Sequence, residues 1–326
     1  MPCYNEERFI LKALEQLVDQ YDKTRYEIIV VDGISQDGTR DLIAQFQSKR
    51  PDVCVTVVDN PARAIPNALN LGVTFARGEI IARMDAHAVP SDGYVRRCVE
   101  VLQQHNTGVV GMPCNVLPAT NTLLARAIAS AVSHPFGIGD AKYRLREGGA
   151  IQEAVDTVAF ACFRKSLWQE LGGYDESLST NEDYDFNYRV RLSGRAVILD
   201  RSGHCDYFAR STFSGLAAQY RRYGGWKARM VRLHPRSIKL RQLVAPAFVV
   251  SLILLMVLSF FSVLALLLLT LELGLYFLLA LVFGWQIQRN AHGGILMWLM
   301  MPLVFLTIHL MWGSSFLLGL VREPNA

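Results

Sequence analysis

The sequence predicts an α/β chain: a doubly wound, mostly parallel sheet followed by apolar helices of membrane-spanning length. Three observations predict it. β-branched runs alternate with helix-patterned segments through residues 27–113, the order that builds a parallel sheet with helices on its faces. Two of those runs end in carboxylates, at Asp32 and Asp85, and ligands of such sheets bind at the carboxyl ends of the strands. Charge then almost vanishes: between Leu243 and Ala326 only Glu272, Arg289, Arg322 and Glu323 are charged.

The elements follow in order. Asn5 with Glu6 and Glu7 reads as a helix start, because Asn is a favoured N-cap and acidic side chains suit the positive helix end. Apolar spacing at Phe9, Ile10, Ala13, Leu14 and Leu17 carries that helix to Val18. "EIIVVDG" (27–33) is a buried strand with its exit turn, and "SQDGTRDLIAQFQ" (35–47) a helix capped by Ser35 or Asp37. "VCVTVVDN" (53–60) is a strand, "IPNALNLGVTFA" (65–76) a helix, and "EIIARMDAH" (79–87) a strand with an acidic end. "SDGYVRRCVEVLQQH" (91–105) is a helix and "GVVGMP" (108–113) a further strand. In "RKSLWQELGGYDES" (164–177) a helix stops at Gly172-Gly173, in a loop expected beside the acidic stretch that follows. Asp32 and Asp85 therefore fall on one rim of the sheet.

A length of 326 residues gives about two domains. Charge density places the boundary near Gln242, with residues 1–242 globular and 243–326 a membrane domain. Pro246–Leu271, Gly274–Trp285 and Ile295–Val321 are apolar runs, and about 20 apolar residues span a bilayer. Two and three passes both fit; three are favoured, with residues 246–285 as a tight hairpin. The stretch "RRYGGWKARMVRLHPRSIKLR" (221–241) abuts the first run, and no acidic residue lies between Asp206 and Glu272. Basic residues beside a span mark the cytoplasmic side and attract anionic lipid by about 1 kcal/mol each. That position argues against nucleic acid as the partner. The six cysteines show no metal or C-x-x-C spacing and read as small buried thiols in a reducing compartment. With no secretory pattern at the start and no N-x-S/T sequon, residues 1–242 are expected in the cytoplasm.

Four clusters bear chemistry. Asp32 is followed by Gly33, Ser35, Asp37, Gly38 and Thr39, which suits a plain turn as well as a ligand site. In "ARMDAHA" an extended chain would put Asp85 and His87 on one face, where oxygen and imidazole donors suit a magnesium or manganese ion; a turn without metal is the alternative. "STNEDYDFNYRVR" (179–191) gathers Glu182, Asp183 and Asp185. Such carboxylates cap a helix or raise one another's pKa, as a general base requires. "QYRRYGGWK" (219–227) adds Gln219, Arg222 and Tyr223, with Arg suited to phosphate or simply to a basic surface.

Taken in series, Pro-x-Tyr-Asn-Glu, strand-Asp-Gly-x-Ser-x-Asp-Gly-Thr, Asp-x-His, Glu-Asp, Gln-x-x-Arg-Tyr and then apolar helices resembles the inverting nucleotide-sugar glycosyltransferases of family 2. The resemblance covers nearly all of residues 1–230. It is strongest to the branch of succinoglycan biosynthesis glucosyltransferases, in "RMDAHAVP", "VDTVAFACFRKSLWQELGGYDE", "NEDYDFNYRVR" and "QYRRYGGWKAR". It implies a GT-A fold, the Rossmann-like sheet of nucleotide-diphospho-sugar transferases. It also implies roles: Pro2, Tyr4 and Glu6 along the base and ribose, Asp32 on the uracil, Asp85 on a divalent cation (Mg2+ or Mn2+) bridging the donor diphosphate, Asp183 of the Glu182-Asp183 pair as catalytic base, Arg222 on the diphosphate and Gln219 on the acceptor side. Two positions depart from the family pattern. His87 replaces the second metal-motif carboxylate, which leaves its ligation open. Tyr223 replaces a Trp near the acceptor, with little expected change.

The implied function is a membrane-bound transfer of one hexose, by default glucose, from a UDP-sugar to a polyprenyl-linked saccharide in exopolysaccharide or other surface-polysaccharide synthesis. The place is the inner (cytoplasmic) membrane, multi-pass, with room for assembly with other polysaccharide-synthesis proteins. The competing expectations are a processive polysaccharide synthase subunit and a non-catalytic nucleotide-sugar-binding membrane partner. In the resembling family a buried strand of about five residues precedes Pro-x-Tyr-Asn-Glu. Here Met1 stands at its last position, so that strand is expected to be missing, with a start upstream favoured over a gap in the sheet.

Overall fold

A computed structural model describes residues 1–22, 26–104, 106–145 and 149–322. His105, the expected end of the 91–105 helix, and residues 323–326 lie outside the described residues. The chain divides into two compact units, one of Met1–Asn115 with Lys142–Tyr207, the other of Val116–Ala141 with Phe208–Ala326.

The first unit holds the sheets. β1 (Pro2–Cys3), β2 (Ile28–Asp32) and β3 (Val55–Asp59) pair in parallel, with Cys3 opposite Asp32 and Asp32 opposite Asp59. The strand exit read at Pro2-Cys3-Tyr4 is thus itself paired: the Val31 amide donates to the Met1 carbonyl at 2.8 Å, and the Met1 amine to the Ile29 carbonyl at 2.9 Å. A second sheet has the order β4 (Ile80–Ala82), β9 (Cys162–Arg164), β6 (Thr107–Gly111), β10 (Ala196–Asp200), β8 (Gln152–Ala154). β10 and β6 are parallel, while β9 runs antiparallel to both β4 and β6, so the sheet is mixed. A small third sheet joins β5 (Val89–Pro90), β11 (Cys205–Ala209) and β7 (Cys114–Pro118).

Helices α1 (Ile10–Val18), α2 (Thr39–Lys49), α3 (Ile65–Phe75), α4 (Tyr94–Leu102), α7 (Lys165–Glu170) and α8 (Glu182–Leu192) belong to this unit. Ile10, Leu14 and Val18 of α1 share one buried cluster with Ile43 and Phe46 of α2 and Val30 of β2; each such side chain, fully buried, contributes about 1.5–3 kcal/mol. Helix α1 starts five residues later than its Asn5 cap signal, at Ile10, because Asn5 is spent elsewhere (below). Five of the six cysteines are buried, and Cys54 is the exposed exception.

The second unit contains α5 (Leu123–Ala131), α6 (Pro135–Ile138), α9 (Phe213–Leu233), α10 (Arg241–Ser259), α11 (Val263–Ala291) and α12 (Gly294–Val321). Its division does not follow the charge-density boundary near Gln242. Helix α9 carries its arginines on one side, yet Leu216, Tyr220, Trp226, Ala228 and Met230 are buried, and composition averages over the two faces. α10, α11 and α12 are each long and apolar enough to cross a membrane. The expected hairpin turns at Phe260–Ser262, earlier than the apolar runs imply, and Ser262 caps α11 by accepting from the Ala265 amide.

Candidate active site

The loops leaving β1 and β2 are buttoned together. The Asn5 amide donates to Ser35 Oγ and the Asn5 side chain accepts from the Gln36 amide, both at 2.9 Å. The Glu6 amide donates to Thr39 Oγ1 at 2.8 Å, and the Gly38 amide to Glu7 Oε2 at 2.9 Å. Asn5 accordingly sits left-handed at φ 54°, as does the β-branched Ile34 at φ 60°; a β-branched side chain in that region is a genuine steric outlier, and such strain collects at functional sites. A Cβ on Gly33 would lie 3.1 Å from the Tyr4 ring, so glycine lets Tyr4 lie across the strand exit. The Arg63 guanidinium sits 5.3 Å from the centre of that exposed ring. Sequence reasoning passed over Arg63 and Ile34; the signal available was the Asn-Pro turn before Arg63.

Asp32 is fully enclosed. Its carboxylate accepts from the Ser35 amide at 3.0 Å, from Ser35 Oγ, and from Arg40 Nε at 2.6 Å. Burial pushes its pKa up, but the Ser35 and Arg40 hydrogen bonds outweigh it and hold the group below the usual carboxylate value.

β4 ends at Ala82 and the chain then turns, with the Ala88 amide donating to the Asp85 carbonyl. The extended geometry that would aim Asp85 and His87 at one ion is therefore absent. His87 Nδ1 instead lies 2.9 Å from Glu6 Oε1, which ties this turn to the β1 exit loop. Between β4 and the turn lies Arg83, only 9% exposed. Its Nη2 reaches Asp85 Oδ1 at 3.4 Å and Glu182 Oε1 at 3.1 Å, while Nε and Nη1 have no hydrogen-bond partner. An unpaired buried cation is expensive, and this one is held by carboxylates from two different elements.

Those elements meet at the start of α8. Asn181 precedes it at φ 71°, Glu182 is buried, and Asp183 is half-buried with its Oδ1 accepting from the Tyr184 amide at 2.7 Å. Burial pushes Glu182 up to about 7, with Arg83 opposing and Asp183 adding to the rise. Asp185 pairs with Arg189, which also donates to the Leu171 and Gly173 carbonyls at 2.7 Å. The Gly172-Gly173 loop thus lies beside the acidic cluster, as its sequence position implied.

In the first unit, then, Tyr4, Glu6, Asp32, Asp85, His87, Glu182 and Asp183 are linked by consecutive contacts, and Pro2 is paired in β1. Asp85 is the one acidic group at its turn, and among the described residues no set of three His, Cys, Asp or Glu side chains forms an ion cage. A lone half-buried carboxylate such as Asp85 still fits a cation bound mainly through substrate phosphates and water, the usual mode for magnesium. Gln219, Arg222 and Tyr223 lie on α9 of the second unit. There the Gln219 side chain donates to the Tyr223 hydroxyl at 3.0 Å, and the exposed Arg222 lies 5.7 Å from the Tyr223 ring centre.

Comparison with known proteins gives a consistent answer. Residues 1–172 match the model of glycosyl transferase family 2. The chain is 29% identical over 245 residues to the succinoglycan biosynthesis protein ExoA of Rhizobium meliloti, covering 74% of this chain and 72% of that protein. It is 27% identical over 240 residues to a dolichyl N-acetyl-alpha-D-glucosaminyl phosphate 3-beta-D-2,3-diacetamido-2,3-dideoxy-beta-D-glucuronosyltransferase of Methanococcus voltae, covering 71% and 73%. Among solved structures, the mannosyltransferase PcManGT of Pyrobaculum calidifontis, determined with GDP-Man and Mn2+, shares the fold with a TM-score of 0.66 at 20% identity, over 95% of this chain and 85% of that one. The mixed sheets, the acidic strand exits and the matched family model together make this chain a glycosyltransferase of family 2, with a GT-A fold.

Proposed function

We propose that the chain transfers one hexose, by default glucose, from a UDP-sugar to a polyprenyl-linked saccharide, with inversion, at the cytoplasmic face of the inner membrane during exopolysaccharide or related surface-polysaccharide synthesis. The observation that supports this most is the chain of contacts in the first unit, from the Asp32 loop through Glu6–His87 to Arg83 and on to Glu182. It links, within one unit, the residues to which we assign the nucleotide, the diphosphate and the catalytic base. The relationship to ExoA supports the pathway class, and the apolar helices support a lipid-linked acceptor.

In this account Tyr4, with Pro2 and Glu6, flanks the nucleoside, and Asp32 keeps the loop shaped for the base while ionised. Asp85 would hold a divalent cation, whose charge offsets that building on the leaving diphosphate. Asp183 takes the proton of the acceptor hydroxyl as its oxygen bonds the anomeric carbon. The bond to the diphosphate breaks, and its electron pair leaves with the nucleotide. One displacement needs one base and inverts the centre. Glu182 and Arg83 fix the start of α8 so that Asp183 is positioned. Arg222, Gln219 and Tyr223 would serve the diphosphate and acceptor. GDP-Man in the solved neighbour makes GDP-sugars the natural second donor class to test.

Asp183→Asn is expected to keep nucleotide binding and to lose transfer by about 10²–10⁴-fold, the usual worth of a general base. Normal turnover in that variant would remove Asp183 from the role. A product of many sugars added without release would instead favour the processive synthase.

A further inference from the structure

Three helices have the length and apolarity of membrane spans, but their packing within the second unit separates α12 from the other two. α10 and α11 form a hairpin around Phe260–Ser262, with Ser251 donating to Glu272 across it. α12 begins beside the distal half of α11: Trp298 Nε1 donates to the Leu281 carbonyl at 2.8 Å, and His309 Nδ1 lies 2.9 Å from the Tyr276 hydroxyl. A third pass would carry α12 on to the level of the Phe260–Ser262 turn. It goes elsewhere. A Cβ on Gly313 would lie 2.6 Å from the Ala245 carbonyl, so at Gly313 the two backbones touch near the opposite, basic end of α10. From Ala245 to Ser259 is about 21 Å of helix, whereas from Gly313 to Val321 is about 12 Å. Even aligned with α10, α12 would stop short of the turn.

The last turns of α12 run along α9 instead. Ser315 Oγ donates to the Arg221 carbonyl at 2.6 Å. A Cβ on Gly224 would sit 2.3 Å from the Trp312 carbonyl, and one on Gly319 would sit 2.8 Å from Ala228 Cβ. A Cβ on Gly224 would also lie 3.0 Å from the Phe316 amide nitrogen, so Arg221, Gly224 and Ala228 along α9 meet Ser315, Phe316 and Gly319 along α12 in that order, and the helices lie side by side in the same direction. On α9, Arg221, Arg222 and Arg232 are exposed. On α12, Leu318, Leu320 and Val321 are exposed. A helix pair that cannot be separated and carries arginines along its length does not suit the hydrocarbon core; arginines beside exposed leucines suit the headgroup boundary of one leaflet.

We propose that α9 and the C-terminal part of α12 form a platform lying in one membrane interface, and that the chain crosses the bilayer twice, through α10 and α11. Val321 then stays on the same side as Arg221, Arg222 and Arg232, and the partner of the platform is the lipid leaflet itself. Gln219, Arg222 and Tyr223 are thereby held at the headgroup plane, where the phosphate of a lipid-linked acceptor would sit.

The test uses the full chain in sealed membrane vesicles of known orientation. In a Cys54→Ser background, which removes the exposed native thiol, Leu233→Cys, Phe261→Cys and Val321→Cys are introduced singly and treated with a membrane-impermeant maleimide before and after permeabilisation. Labelling of the Leu233 and Val321 positions from one side and of the Phe261 position only from the other is expected. Labelling of the Val321 position together with the Phe261 position would overturn the proposal by showing a third crossing. Labelling of all three from one side would overturn it by showing no crossing hairpin. The readout is sidedness, so it stands or falls independently of the assigned reaction.

Discussion

Arg83 is the residue on which the site turns. It is buried and touches Asp85 and Glu182, and although it opens the stretch "RMDAHAVP" it was given no role there. Breaking a buried ion pair by removing one partner costs about 3–5 kcal/mol. Arg83→Met is therefore expected to lower the thermal midpoint of the full chain clearly in a detergent melt, and an unchanged midpoint would show that the pairings carry no stability. Glu182 supplies a pH signature. Burial raises its folded-state pKa to about 7 from 4.5, so the unfolded chain gives up this proton first as pH rises. Its contribution to stability is complete below about pH 4.5 and is lost as pH climbs through about 7. Glu182→Gln should flatten that decline in a pH series of melts, and a decline of the same slope in the variant would assign it elsewhere. The motif carboxylates were legible because carboxylates after apolar strands stand out. Arg83 was not, because an arginine inside an apolar run carries no mark of being buried; only its place two residues before Asp85 hinted at it.

At the scale of elements, the order of strands and helices in residues 27–113 was legible from periodicity, while boundaries were set by contacts the pattern does not carry. The Asn5 cap signal failed because the Asn5 side chain accepts from the Gln36 amide, 31 residues away, and so is not given to the first helical amides. The Asp85–His87 stretch failed as a strand because its turn closes within four residues and the imidazole goes to Glu6. The β9 strand, antiparallel to its neighbours, was invisible to an alternation that implies parallel pairing. In the second unit, glycines govern the packing of α9. Gly224→Leu would place a side chain where the Trp312 carbonyl lies 2.3 Å from its Cβ, and overpacking of that kind costs about 1–3 kcal/mol. The expected outcome is a lower melting midpoint with loss of transfer, whereas Ala218→Leu, on the exposed side of the same helix, should change stability by no more than about 0.5 kcal/mol and leave the midpoint close to the parent's.

At the scale of the molecule, the GT-A fold and the C-terminal apolar helices were both foreseen, the first from strand exits and the second from the missing charge. What composition could not divide was the amphipathic α9, whose residues face two environments. The proposed requirement for a nucleotide-sugar, a cation and a lipid-linked acceptor makes two broad predictions. Excess chelator should abolish transfer, with added Mg2+ or Mn2+ restoring it, and full activity in chelator would remove the cation from Asp85. The most direct measurement is the product itself. Membranes carrying the full chain are incubated with a panel of UDP- and GDP-sugars and a polyprenyl-linked saccharide, and the product is weighed and its new linkage examined for anomeric configuration. The account predicts one hexose added from a UDP-sugar, with inversion, and no product in Asp183→Asn. Retained configuration, or transfer undiminished in that variant, would contradict it.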